Sequence, residues 1–553
     1  VTDNYRLIDA IRRQSDELQN HVIDEFLAGR LDRRGLLRHG AVYGLSAALM
    51  GGLLGGSPFA VRPARAAGKA DATIRVGMVA PTGAINPVSV AESGGLLMLQ
   101  QTGEFLAMDG TDLKLRPHLA TSWSANKEGT VWTFKLRTGV KFHSGKTFSA
   151  DDVVYSLSQL ANPKNSSNAL SAFKGVLSPE GIVKVDDSTV AFHLDAPNGN
   201  FPYLVSSDNY NAIIVPAGSD PAQWEKNFDG TGPFKLDKYT PKVGASFVRN
   251  PDYWGPKALP ARTEFSFYTD QQPQLLALQG GQLDVLQQIV VQGAQGVLHS
   301  PDVKVLKIPA ATHRQVHMRT DMAPFTDKRV RQALALTLDR KKIVAGLFQG
   351  LAQVGNDSPF APVYPSTNKS VPQRERNIPK AKQLMEAAGL SKGAEVTLTT
   401  EHLQEIPDYA VLIQNAAKEI GIKINLKIED SGAYYGDAVY GKSDWLDSQM
   451  GITDYGHRGV PNVLLGAPLL SSGSWNSAHF KSPTYDKLVA DYVETTDLTK
   501  QRDLAGKIET LLLDETPIIF AYFYDYLSAT SPDVSGVQAT AISQLFLHNA
   551  TIA

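Results

Sequence analysis

Apolar side chains recur at every second position, Ile74, Val76 and Met78 within Ile74-Arg75-Val76-Gly77-Met78-Val79, and Trp132, Phe134 and Leu136 within Val131-Trp132-Thr133-Phe134-Lys135-Leu136. A period of two sends neighbouring side chains to opposite faces, so both segments predict half-buried strands. Val183–Val185 and Thr189–Leu194 repeat the pattern around Asp186-Asp187-Ser188 and predict a hairpin. Between these strands the period lengthens. Ser93–Phe105 predicts a helix, and Ser149-Ala150-Asp151-Asp152 opens another, with a hydroxyl or carboxylate cap and acids in the first turn. Val303–Ile308 and Arg314–Met318 predict further strands. Beyond them the texture turns helical. Asp327–Leu338, Asp339–Gln349, Ala381–Ala388 and Leu504–Leu513 read as helices, and Ile518–Tyr524 as a late strand. Glu395–Thr399, Tyr409–Ile420 and Ile422–Ile428 form a strand–helix–strand series that suits one parallel unit. The pattern predicts an α/β chain with α+β elements and more than one domain.

The first 66 residues break with this texture. Asp32-Arg33-Arg34-Gly35-Leu36-Leu37-Arg38 precedes an uncharged stretch from Gly40 to Val61, and Ala64-Arg65-Ala66 closes it. Paired arginines, an apolar run rich in Gly and Ala, and a small-residue cleavage site make a twin-arginine export signal. Residues 1–66 are therefore read as a signal segment and the remainder as working in the periplasm. No later stretch is apolar enough to span a bilayer, so the exported part is expected to be a soluble monomer.

Composition narrows the partners. With 54 basic and 56 acidic residues the net charge is −2, and a nucleic-acid partner would require a basic face. Cysteine is absent. Disulfides and thiolate metal sites are thereby excluded, and stability must come from core burial.

Catalytic chemistry finds no motif here. There is no nucleophile elbow around a serine and no phosphate-cradling loop of the G-x-x-x-x-G-K type. Gly51-Gly52-Leu53-Leu54-Gly55-Gly56 lies inside the export signal. His313 and His317 are four apart in a strand-like stretch, which separates them by about 13 Å along one face, too far for one metal. Asp151 and Asp152 suit a helix start better than a carboxylate pair. Neither cofactor nor metal is expected. Asp454 stands out, in Gly451-Ile452-Thr453-Asp454-Tyr455-Gly456. A carboxylate beside an aromatic ring can hold an ammonium, one by charge-assisted hydrogen bonds and the other by its π face. A surface turn would produce the same letters. Tyr434, Tyr435, Tyr440, Trp445, Tyr455 and Trp475 cluster around the late loops, either as packing or as the lining of a cleft for an organic ligand.

A resemblance rests on three blocks. The first is Leu115-Arg116-Pro117-His118-Leu119-Ala120-Thr121-Ser122-Trp123, continued by Trp132–Arg137, Val140–Lys146 and Phe148–Val153. The second is Gly230-Thr231-Gly232-Pro233-Phe234 with Asn250-Pro251-Asp252-Tyr253-Trp254. The third is Pro324-Phe325-Thr326-Asp327 with Arg329-Val330-Arg331-Gln332-Ala333-Leu334. In these the chain resembles the large extracytoplasmic solute-binding proteins of ABC importers, the peptide- and oligopeptide-binding family. The resemblance implies a two-lobed clamshell: residues 67–102, 230–319 and 518–553 as one lobe, 103–229 as a small domain packed on it, and 320–517 as the other lobe. It implies a small-molecule ligand held between the lobes, a membrane permease as partner, and no catalysis.

The resemblance also assigns Asp454 a role toward a ligand α-ammonium. Arg319 stands where relatives commonly carry asparagine. It is a candidate for a ligand carboxylate, or for a salt bridge with Asp321 or Asp327. Arg458 is a second cationic candidate. Asp454 with a nearby arginine would suit a zwitterion such as a small peptide, an amino-acid conjugate or an opine-like compound. An oligosaccharide or glycoside receptor, a periplasmic hydrolase, and a chaperone-like protein without a small solute are the alternatives. Asp454 facing the cleft beside an arginine would favour the zwitterion. Trp445 and Trp475 lining a flat-walled cleft would favour sugar.

Overall fold

The computed structural model describes residues 72–553, together with positions 20, 23, 24 and 36. The proposed export signal lies almost wholly outside the described residues. Three sheets organise the chain. A seven-stranded mixed sheet runs in the order Lys304–Ile308, Tyr526–Thr530, Val285–Ile289, Thr73–Val79, Arg262–Tyr268, Gly244–Arg249 and Phe234–Thr240. A six-stranded sheet runs Ala352–Val354, Ile518–Tyr524, His313–Met318, Met450–Tyr455, Ala394–Glu401 and Ile422–Glu429. A four-stranded antiparallel sheet joins Ala120–Ala125, Val131–Leu136, Thr189–His193 and Ile182–Asp186.

The four-stranded sheet belongs to the small domain. Its strands alternate as their sequence demands, with Trp132, Phe134 and Leu136 buried on one face. Helix Ala150–Ala161 covers that face. Its start is fixed by a capping box in which the Ser149 backbone N–H donates to the Asp152 carboxylate at 2.8 Å. Asp152 also accepts from Lys146 Nζ at 2.6 Å and from the Ala217 N–H at 2.7 Å. This buried acid therefore pins the helix start to two loops, the structural alternative weighed for it from sequence.

One apolar cluster runs continuously from the small sheet into the seven-stranded sheet, joining Phe134, Phe192 and Phe201 to Val76, Phe247 and Phe265. Glu104 ties the two further. Burial alone would raise its carboxyl, but His118 beside it and hydrogen bonds from His118, Tyr253 and Trp254 hold it below the usual range. A second cluster fills the helical lobe around Leu398, Ile413, Ile422 and Ile452. Strands Ala394–Glu401 and Ile422–Glu429 pair in parallel around helix Ile406–Lys418, as the strand–helix–strand reading predicts.

The chain passes between the two large sheets twice. It leaves Lys304–Ile308 and enters His313–Met318 through residues 309–312, and it leaves Ile518–Tyr524 and enters Tyr526–Thr530 through Asp525. The two passages lie side by side, since the Tyr524 N–H donates to the Thr312 carbonyl at 2.9 Å. The sequence reading divided the lobes at 319/320 and 517/518. Pairing places His313–Met318 and Ile518–Tyr524 in the six-stranded sheet instead, between Ala352–Val354 and Met450–Tyr455. Both strands are buried nearly throughout, so neither carries an alternation that identifies its sheet. Among the described residues no helix is long and apolar enough to cross a membrane.

Candidate functional site

A cavity of about 140 Å³ sits between the lobes at the two passages. Gln288, Gln292 and Ser543 line it from the side of the seven-stranded sheet. Gln404, Glu405 and Tyr524 line it from the other, with Thr312 and Asp525 at the passages themselves. A larger cavity of about 740 Å³ is lined entirely by residues of the small domain and the first lobe, away from the passages.

Behind the interlobe cavity stands a buried cation. Arg314 is the antiparallel partner of Asp454 across neighbouring strands. Its side chain is 0% exposed. Nη1 donates to Asp454 Oδ1 and, at 2.8 Å, to the Tyr524 hydroxyl. Nη2 donates to Gln404 Oε1 at 2.8 Å and to Glu405 Oε2 at 3.2 Å. Nε lies 2.8 Å from Glu405 Oε1. The guanidinium carbon also stands 4.7 Å from the centre of the Tyr524 ring. Burial opposes the charge on Arg314, but Tyr524, Asp454 and Glu405 more than offset it, so the guanidinium stays charged.

Asp454 keeps a third of its side-chain surface open, at 34%. Partial burial pushes its carboxyl above the ordinary range, Arg314 pulls it down, and the charge of Glu401 pushes it up again. Both of its contacts, with Arg314 and with Tyr524, fall on Oδ1. The histidines nearby do not add charge. Burial pushes His313 and His457 down to about 3, and His457 Nδ1 accepts from the Ala311 N–H at 2.9 Å.

The other residues singled out from sequence separate into two places. Tyr455 follows Asp454 on the same strand and so points to the opposite face. Its ring stacks on His313 at 5.6 Å and lies 6.2 Å from Trp475. Trp445, itself buried, packs on Tyr435 at 5.3 Å and on Trp475 at 6.3 Å. These rings make a packed aromatic cluster with Tyr434 and Leu464. The ring that accompanies the Asp454 carboxylate is Tyr524.

Arg319 lies beyond the far end of the Arg314 strand, roughly 16 Å along it. It donates to both oxygens of Asp321, at 2.7 and 2.9 Å, and to the Asp447 carbonyl at 2.8 Å. It makes the salt bridge set out from sequence as the alternative to a ligand role. Arg458 acts on Asp208 of the small domain, whose carboxyl it pulls down against burial and the charge of Asp109. Arg314, Gln404, Glu405 and Tyr524 escaped the sequence reading. The available signal was Arg314 itself, a fixed cation in a strand otherwise destined for the core. Its strand partner follows from the antiparallel register.

The family model described as bacterial extracellular solute-binding proteins, family 5 (middle region), matches residues 114–465. Heme-binding protein A of Haemophilus influenzae is 27% identical over 452 residues, covering 76% of this chain and 81% of that protein. The dipeptide-binding protein of Escherichia coli is 25% identical over 467 residues, covering 79% and 86%. Among solved structures, HbpA2 from Haemophilus parasuis superposes with a TM-score of 0.77 at 23% identity, covering 87% of this chain and 100% of that one.

Proposed function

Because the chain belongs to the bacterial extracellular solute-binding proteins of family 5, we propose that it captures a small peptide or peptide-like zwitterion between its lobes. It then delivers that solute, chemically unaltered, to an ABC-type permease in the inner membrane. The twin-arginine pattern read at 32–38 supports a periplasmic setting for this work.

The observation that carries the reading is Asp454, a third open beside Arg314 and hydrogen-bonded by Tyr524, a residue that lines the interlobe cavity. A carboxylate oriented by a buried arginine is a rigid acceptor for an ammonium group, and a charge-assisted bond there is about twice as strong as a neutral one. The sugar reading loses its platform, since Trp445 is buried in the aromatic cluster. At about 140 Å³ the cavity is smaller than the roughly 300 Å³ or more of ordinary ligand pockets. Admission of a peptide therefore requires the lobes to part about 309–312 and Asp525.

Calorimetric titration with Ala-Ala and with N-acetyl-Ala-Ala tests the reading. The free amine is expected to bind at least about tenfold tighter than the acetylated form, a difference of about 1.4 kcal/mol. Asp454→Asn is expected to abolish that preference. Equal affinity of the two peptides for the unaltered chain would reject ammonium recognition.

A further inference from the structure

The charges around the interlobe cavity do not balance. Glu405 and Asp454 converge on one arginine, and Glu401 stands within electrostatic range of Asp454. Glu401 ends the strand Ala394–Glu401, and Glu405 stands at the start of helix Ile406–Lys418. Glu401 is close enough to Asp454 for its charge to raise the Asp454 carboxyl. Asp525 adds a fourth carboxylate at the second passage, where it lines the cavity and accepts from Gln353 Nε2 at 3.3 Å. Lys307 lies within electrostatic range of Asp525.

The arginine of this cluster, Arg314, is enclosed. Its Nη1 and Nη2 donate to Asp454, Tyr524, Gln404 and Glu405, its Nε faces Glu405 at 2.8 Å without hydrogen-bond geometry, and no part of its side chain is exposed. It orients Asp454 and, being enclosed, does not reach a ligand carboxylate. What the cavity lining presents to a solute is the carboxylate of Asp525, with neutral amides from Gln288, Gln292 and Gln404 around it, and Asp454 adjoins that lining through its hydrogen bond from the Tyr524 hydroxyl.

Resting on the reading of this cavity as the solute site, we propose that it selects solutes of net positive charge, with Asp454 and Asp525 as the residues that set the preference. The solute class is a peptide or peptide-like amine carrying a second cationic group, or one whose carboxyl end is blocked. A dipeptide with an acidic side chain would bring two carboxylates to a site whose buried cation already faces Asp454 and Glu405 and where, among the described residues, Lys307 alone offsets Asp525, and like charge held together is disfavoured.

The test is calorimetry of the full chain with Ala-Lys, Ala-Ala-amide, Ala-Ala and Ala-Glu, and, outside the peptide class, with 1,4-diaminobutane and succinate. Ala-Lys and Ala-Ala-amide are expected to bind at least about tenfold tighter than Ala-Glu, with the gap narrowing as salt rises. Asp525→Asn, an isosteric change at a half-buried side chain, is expected to reduce the ratio of Ala-Lys to Ala-Glu affinity several-fold while leaving the melting temperature in place. Ala-Glu binding as well as Ala-Lys would overturn the charge preference and leave peptide capture standing. Diaminobutane binding without any peptide would overturn peptide capture and support the charge preference. Silence of every probe, or succinate binding as well as the diamine, would overturn the charge preference.

Discussion

Arg314 and Asp454 do different work although they touch. Arg314 is inaccessible and holds four side chains in place, whereas Asp454 is open on one side. Removing a buried cation leaves its carboxylates uncompensated, which costs roughly 3–5 kcal/mol. Arg314→Met is therefore expected to lower stability by about that amount in urea unfolding, and Asp454→Asn to change it far less while losing the ligand. Proton linkage separates the two again. The proposed ammonium contact requires the ionised form of Asp454, whose carboxyl is raised above its ordinary value by burial and by Glu401. Affinity should fall as pH drops through that raised value, and binding in this range should release a proton from Asp454. Titration in buffers of different ionisation enthalpy measures both effects, and affinity independent of pH would contradict the role of Asp454. Asp454 was legible in the sequence because a carboxylate between an apolar strand and a loop is conspicuous. Tyr455, next to it, was legible only as an aromatic. The alternation of the strand sends its ring to the other face, against His313 and Trp475, so adjacency in sequence did not mean adjacency in space.

Elements with a strong local signal were the legible ones. Val131–Leu136 alternates and forms the strand it predicts. Ser149 and Asp152 cap the helix they were expected to open. The unit from Ala394 to Glu429 pairs in parallel around its helix. The strands His313–Met318 and Ile518–Tyr524 resisted because burial on both faces erases alternation, and only pairing assigns them to a sheet. Leu504–Leu513 was read as a helix, and the helix spans Leu498–Glu515, capped by Asp497, whose carboxylate accepts from the Thr499 and Lys500 N–H groups. Its length carries a buried acid, Glu509, whose carboxyl is pushed up to about 8 by burial. The unfolded chain loses that proton near the ordinary value of 4.5. Between these values the folded state binds more protons, so stability falls as pH rises from the lower to the higher. Glu509→Gln is expected to raise the melting temperature near pH 8 and to change it little near the carboxylate's ordinary pKa. An equal effect at both pH values would remove Glu509 from this role.

At the scale of the whole molecule, the lobes meet at the passages and again through the small domain. Leu113, at the tip of a hairpin in the small domain, is buried in an apolar cluster with Leu465, Leu469 and Tyr364 of the second lobe. Asn200 Nδ2 donates to Asn462 Oδ1 at 2.9 Å. Asp208 packs against Gly459 so closely that a Cβ added there would stand 2.3 Å from its carboxyl carbon. Gly459→Ala should therefore cost about 1–3 kcal/mol through overpacking. The double variant Gly459→Ala with Asp208→Ala should be less destabilised than the sum of its parts, the signature of direct contact in a double-mutant cycle. Additive losses would place the two residues apart. This contact was invisible in sequence, because it joins positions about 250 apart whose meeting depends on how the lobes sit. The claim on which the rest depends is reversible capture of a small peptide without chemistry. Equilibrium dialysis of the full chain against a mixture of di- and tripeptides, followed by mass spectrometry of the retained solute, tests it most directly. The expected result is intact peptide retained at about one molecule per chain. Recovery of cleaved peptide, or retention no greater than in a protein-free control, would contradict it.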